Sequence, residues 1–138
     1  MIKRISYRET LPIRQAVLWP YRSIEELILK DDPKGIHFGF FMDGLLVAVI
    51  SVFKKGNLGQ FRKFACLDEY QGKGIGSRLL NHTINYLVQQ RIRKVWCNAR
   101  VSAREFYKNF GFVHVAKSEF SKGEIKYEIM VKHLKEIP

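Results

Sequence analysis

The chain has 138 residues, 46% of them hydrophobic, which suits one domain with a real core and excludes a largely disordered chain. No apolar run approaches a membrane span and the first residues lack the apolar stretch of a signal peptide, so a cytoplasmic protein without a membrane partner is expected. Twenty-four Lys and Arg against thirteen Asp and Glu leave a net charge of +11, which fits either a generally basic solvated surface or a polyanionic partner.

In chain order, residues 2–6 alternate as a short strand. A helix is expected over residues 10–19, with Pro12 in its first turn. Ser23-Ile24-Glu25-Glu26 has the spacing of a capping box, which predicts a second helix ended by Asp31-Asp32-Pro33-Lys34-Gly35. Residues 36–42 are β-branched and aromatic, Asp43-Gly44 is a two-residue hairpin turn, and residues 45–53 are the return strand. A turn at residues 54–57 leads to a third strand over residues 58–67. Ile75, Leu79, Leu80, Ile84, Leu87 and Val88 then recur at helical spacing. Residues 94–98 read as a strand and residues 103–109 as a short helix closed by Gly111; strands at residues 112–116 and 125–131 finish the chain. No repeat, low-complexity tract or linker divides it, so residues 1–138 are read as one domain. The order β-α-α-β-β-β-α-β-α-β-β predicts an α/β protein with a mixed sheet of about six to seven strands and helices on both faces.

The most informative segment is Gln71-Gly72-Lys73-Gly74-Ile75-Gly76-Ser77, between a strand and the strongest helix. A helix N-terminus offers N–H groups without internal acceptors, and glycines let an anion approach without meeting a Cβ atom. A Walker loop would need Lys after the last glycine, where Ser77 stands. A Rossmann fingerprint would need Gly-x-Gly-x-x-Gly after the first strand. Neither fits.

Gln71, Gly74 and Gly76 do meet the acetyl-CoA signature [Gln/Arg]-x-x-Gly-x-[Gly/Ala]. Downstream, Ala103-Arg104-Glu105-Phe106-Tyr107-Lys108-Asn109-Phe110-Gly111-Phe112 is similar to Ala-x-x-Phe-Tyr-x-x-x-Gly-Phe. With both motifs in this order the chain resembles the GNAT family of N-acetyltransferases over nearly its whole length. The resemblance implies the acyl-CoA N-acyltransferase fold, with acetyl-CoA as co-substrate and no metal. It also implies backbone hydrogen bonds from Phe64, Ala65 and Cys66 to the pantetheine arm and thioester, and a pyrophosphate held by Gln71, Gly72, Lys73, Gly74, Ile75, Gly76 and Ser77. The next strand would diverge to open a slot. Tyr107 would be the acid facing the leaving sulfur, in direct attack by the acceptor within a ternary complex.

Three points stay open on the residues. Arg100 stands where many relatives carry Asn; it reads as a phosphate contact, as a contact to an acidic acceptor, or as a solvated side chain, with Asn98 a nearby substitute. No general base is named: residues 58–67 carry no carboxylate, and Glu25, Glu26, His37 and a water chain compete for the role. Cys66 and Cys97 read as small core residues rather than acyl carriers. The expected acceptor is a primary amine of a small molecule ahead of a protein, and a homodimer is common in the family. A non-catalytic acyl-CoA-binding module is the alternative. No nucleic-acid-binding motif supports a specific nucleic-acid partner.

Overall fold

The computed structural model describes residues 1–135. By contact density the chain forms two compact units, one of Met1–Phe53 with Phe61–Leu87, the other of Lys54–Gln60 with the residues from Val88 on.

In the first unit β1 (Ile2–Ile5) leads into α1 (Tyr7–Leu18). The helix begins earlier than residue 10, because Ser6 caps it. Ser6 Oγ accepts from the Glu9 amide at 3.3 Å, and Glu9 Oε1 accepts from the Ser6 amide at 3.0 Å, which makes a reciprocal capping box. Pro12 therefore lies inside the helix. β2 (Ile36–Met42) and β3 (Leu45–Lys55) form the expected hairpin, with Asp43 and Gly44 both at positive φ (49° and 81°), as a turn that follows strand twist requires. β1 pairs antiparallel with β2, and β4 (Leu58–Cys66) follows β3 in the order β1-β2-β3-β4. α2 (Ile75–Gln89) buries Ile75, Leu79, Leu80, Thr83, Ile84 and Leu87. On its other turns His82 and Tyr86 pack edge-on against Phe38 of β2.

The expected helix after Ser23 is not there. Ser23 and Glu26 make the capping hydrogen bonds, but only one 3-10 turn follows, at Glu25–Leu27, and Ile28 is already extended (φ −72°, ψ 128°). A buried ion pair accounts for this. Arg14 donates to Asp32 through Nη1 (2.7 Å) and Nη2 (2.9 Å), and neither side chain is more than 1% exposed. Arg14 Nη1 also takes the Leu27 carbonyl (3.1 Å), and Asp32 Oδ2 takes the Leu29 amide (2.7 Å). Those are backbone groups that a continuing helix would have bonded to itself. The network continues through Ser51 Oγ, which accepts from Arg14 Nη2 (2.8 Å) and lies 2.7 Å from His37 Nδ1; His37 Nε2 is 3.0 Å from the Asp32 carbonyl.

The second unit holds the first residues of β4, then β5 (Lys94–Arg100), α3 (Arg104–Lys108), β6 (Val113–His114), β7 (Phe120–Lys122) and β8 (Ile125–His133). Its strand order is β4-β5-β8-β6, with β7 also on β8. β5 is parallel to β4 and antiparallel to β8, so the sheet is mixed. β6 is shorter than the expected strand over residues 112–116. Val115 still donates to the Ile129 carbonyl of β8 (2.8 Å), but the Ile129 amide is met by the Ser118 side chain, Oγ accepting at 3.0 Å, rather than by a further strand carbonyl. β7 was not expected; it pairs in register from Phe120↔Tyr127 to Lys122↔Ile125. The described residues thus have eight strands rather than six to seven, in the order β-α-β-β-β-α-β-α-β-β-β. None of their helices is long and apolar enough to cross a membrane.

Removing one partner of the Arg14–Asp32 pair leaves a buried charge without its counterion. Asp32→Ala is expected to destabilise by about 3–5 kcal/mol in denaturant unfolding. Burial works to raise the Asp32 pKa, yet the Arg14 and Leu29 hydrogen bonds outweigh it and hold the carboxyl below its ordinary range. Burial depresses the His37 pKa below its ordinary 6.5, with both ring nitrogens engaged. The unfolded chain therefore binds more protons than the folded one below that value. Stability should be flat near neutrality, fall as pH drops through about 6.5, and fall again in the acid range of carboxylates. Melting curves of His37→Gln should lose the first decline; an unchanged profile would contradict the assignment.

Candidate active site

The candidate site of the first unit is the junction of β4 with α2. Ala65 is buried at the end of β4, with Phe64 and Cys66 half-buried on either side. Leu67 donates its amide to the Val47 carbonyl of β3 (2.9 Å), which ties the end of β4 to β3. A 3-10 turn at Asp68–Tyr70 follows. Gln71 then reaches back, its Nε2 donating to the Cys66 carbonyl (3.0 Å) and to Asp68 Oδ1 (3.2 Å). Its amide thus clamps the loop, a role the sequence motif does not reveal.

Gly72 and Gly74 take φ of 75° and 79°, the left-handed region that side chains rarely enter, and a Cβ at either would meet no atom within 4 Å. Space over the turn is open. The Arg78 amide donates to the Gly74 carbonyl (3.1 Å), so the amides of Ile75, Gly76 and Ser77 precede the first such bond of α2. The first turn of α2 carries no acidic residue to compete for an anion. Ile75 is 3% exposed, so its side chain belongs to the core and only its backbone can serve a ligand. Lys73 Nζ lies 5.6 Å from the Tyr70 ring centroid and the Arg78 guanidinium 4.9 Å from that of Phe40, which brings two cations beside the turn.

Within β4, Lys63 takes φ 54°, a left-handed residue inside a strand. This feature too is invisible in the sequence. The described parallel register of β4 with β5 runs only from Leu58↔Lys94 to Gln60↔Trp96, although β4 goes on to Cys66 and β5 to Arg100. On its other edge β5 pairs with β8 along its whole length, to Arg100↔Tyr127.

In the second unit Arg100 is exposed at the end of β5. Tyr107 is 9% exposed on α3, its ring 5.1 Å from that of Phe106 and 5.7 Å from that of Phe112. Burial, with a smaller contribution from Cys97, raises its phenol pKa well above the ordinary value. The phenol is therefore protonated throughout the physiological range, a permanently loaded hydrogen-bond donor. Burial also pushes the Cys97 thiol up to about 12, and burial followed by Asp68 raises Cys66. An acyl-accepting cysteine needs the opposite shift. Of the base candidates, His37 is 3% exposed with both nitrogens occupied, while Glu25 and Glu26 are exposed and held near Arg8, Ser23 and Arg22. Among the described residues no cluster of three His, Cys, Asp or Glu is arranged to hold a metal. Sequence reasoning also missed the ion pair of Arg104 with Glu128, signalled only by a carboxylate inside the apolar run Tyr127-Glu128-Ile129-Met130.

Comparison with known proteins gives consistent results. A family model described as an acetyltransferase (GNAT) domain matches residues 18–134. An uncharacterised N-acetyltransferase, YitI, of Bacillus subtilis (strain 168) is 29% identical, with 97% of this chain and 96% of the relative covered. Two solved structures share the fold. The ribosomal-protein-S18-alanine N-acetyltransferase of Escherichia coli has a TM-score of 0.81 at 17% identity, covering 100% of this chain and 96% of that one. Ard1 from Thermoplasma volcanium has a TM-score of 0.80 at 22% identity, covering 99% and 98%.

The two helix-start glycines should respond differently to alanine. Gly74→Ala forces a side chain into a left-handed conformation and should cost about 1–2 kcal/mol of stability. At Gly76 a Cβ would meet only Phe64 Cζ at 3.5 Å, an ordinary contact, so Gly76→Ala should stay within about 0.5 kcal/mol of the parent. Equal losses in urea unfolding would contradict this geometry.

Proposed function

Since the chain belongs to the GNAT acetyltransferase family, we propose that it is an acetyl-CoA-dependent N-acetyltransferase that modifies a primary amine of a small molecule. The observation that carries this reading is the turn into α2, with its left-handed glycines, its unblocked amides at residues 75–77 and its adjacent cations. In this reading Gln71 to Ser77 hold the pyrophosphate, Phe64 to Cys66 hold the pantetheine arm, and Arg100 contacts a phosphate. Residues 1–138 then act as one cytoplasmic acetyltransferase domain.

The neutral amine nitrogen attacks the thioester carbonyl carbon and forms the C–N bond. The C–S bond then breaks and its electron pair leaves on sulfur. Tyr107 donates its phenolic hydrogen to that sulfur and is reprotonated from water, which takes up the proton shed by the amine, so the products are the amide and the free thiol and the phenol is restored. Burial makes Tyr107 a weak acid, which favours a hydrogen bond that strengthens as charge builds on sulfur over early proton transfer. The raised pKa values of Cys66 and Cys97 support direct attack rather than an acyl-cysteine route.

One observation favours a second reading, an acyl-CoA-binding module without turnover. Residues 58–67 carry no carboxylate, and His37 has both nitrogens engaged. Thiol release from acetyl-CoA across polyamines, amino acids, aminoglycosides and peptides separates the two.

CoA or acetyl-CoA at a hundredfold excess over its dissociation constant should stabilise the fold by about 2.7 kcal/mol, read as a higher melting midpoint. No shift at millimolar cofactor would count against both readings. Tyr107→Phe should lower turnover by about tenfold or more while leaving CoA affinity nearly unchanged. Full turnover in that variant would remove Tyr107 from the chemistry.

A further inference from the structure

α3 spans only Arg104–Lys108, and Ala103 gives it no side-chain cap. A helix this short has no stability of its own. Its position must come from tertiary bonds. One set is aromatic: Tyr107 packs against Phe106 and Phe112, and its carbonyl accepts the Phe110 and Phe112 amides at 3.0 and 3.1 Å.

The other is ionic. Arg104 Nε donates to Glu128 Oε2 and Arg104 Nη2 to Glu128 Oε1, each at 2.7 Å, a fork matched to a carboxylate. The Glu128 side chain is 1% exposed, whereas Arg104 is 30% exposed with Glu119 a further 3.7 Å neighbour. Glu128 stands opposite Ala99 in the β5–β8 register, and Met130 opposite Cys97. Ala99, Cys97, Glu128 and Met130 are all buried and alternate along their strands. Arg104 and Tyr107 are three residues apart and so share one face of α3.

The geometry points to Arg104 and Glu128 as positioning residues that set the angle at which α3 presents the Tyr107 phenol. This rests on the reading of Tyr107 as the donor to sulfur. A bidentate pair fixes rotation as well as distance, which a single ammonium cannot do. Arg104→Lys keeps the charge and loses the fork, and Glu128→Gln keeps the shape and loses the charge.

The test has two readouts. Protein labelled with 3-fluorotyrosine has six tyrosine signals, of which Tyr107 is assigned by its absence in Tyr107→Phe. In Arg104→Lys and Glu128→Gln the Tyr107 fluorine signal should move and gain a solvent isotope shift. An unmoved signal, or collapse of all six to one unfolded position in both variants, would overturn the inference. This readout needs no acceptor. With acetyl-CoA and the best amine from the acceptor panel, each variant should lose about tenfold in kcat at unchanged KM. Arg104→Lys should then add nothing further in a Tyr107→Phe background. Additive losses would mean that the pair acts elsewhere. If Tyr107→Phe itself turns over normally, the donor reading falls; if it is slow while Arg104→Lys is not, the positioning role alone falls.

Discussion

The first unit is organised around one buried charge. A guanidinium that is 1% exposed must be met by a carboxylate and by further acceptors, or it costs several kcal/mol. Arg14 finds Asp32, Ser51 and the Leu27 carbonyl, and so ties α1 to β3 and to the segment before β2. A well-packed apolar cluster would hold these elements as strongly. What the ion pair adds is a penalty on misplacement, since moving Asp32 away would leave the buried Arg14 charge without its carboxylate. β2 and β3 are in turn the ground on which the candidate site stands. Val47 of β3 receives the Leu67 amide, and Phe38 and Phe40 of β2 carry the rings and cation of α2.

On that ground the glycine turn is shaped by few forces. Gln71 ties it to the end of β4, two left-handed glycines bend it, and the Gly74 carbonyl starts the helix. The result is a helix start whose amides, dipole and neighbouring cations all favour a negative ligand. The second unit repeats the theme of a buried carboxylate met by a forked arginine, with Glu128 and Arg104 fixing the short helix of Tyr107. Each of these two arginines is cancelled by its own carboxylate, so the net charge of +11 resides entirely in the other charged residues.

Local signals were legible in the sequence and long-range ones were not. The Asp43-Gly44 hairpin, the amphipathic pattern of α2 and the glycine turn each depend on neighbouring residues, and the structure has all three. Ser23 and Glu26 form their capping bonds as the pattern predicts, yet the helix fails because Arg14, nine residues earlier in the chain than Ser23, takes the Leu27 carbonyl. β7 escaped notice because Phe120-Ser121-Lys122 is only three residues long and exposed throughout, and becomes a strand only by pairing with β8. At the candidate site the motif located Gln71 but not its bond to the Cys66 carbonyl, and nothing local marks the left-handed Lys63.

The central claim is that an anion of coenzyme A sits on the first amides of α2. The direct measurement is a titration of isotopically labelled protein with CoA, following backbone amide resonances. The account predicts that Gly72, Gly74, Ile75, Gly76 and Ser77 shift most, with the amide protons of residues 75–77 moving downfield as they gain a phosphate acceptor. Saturating shifts confined to other segments, or none at millimolar CoA, would contradict it.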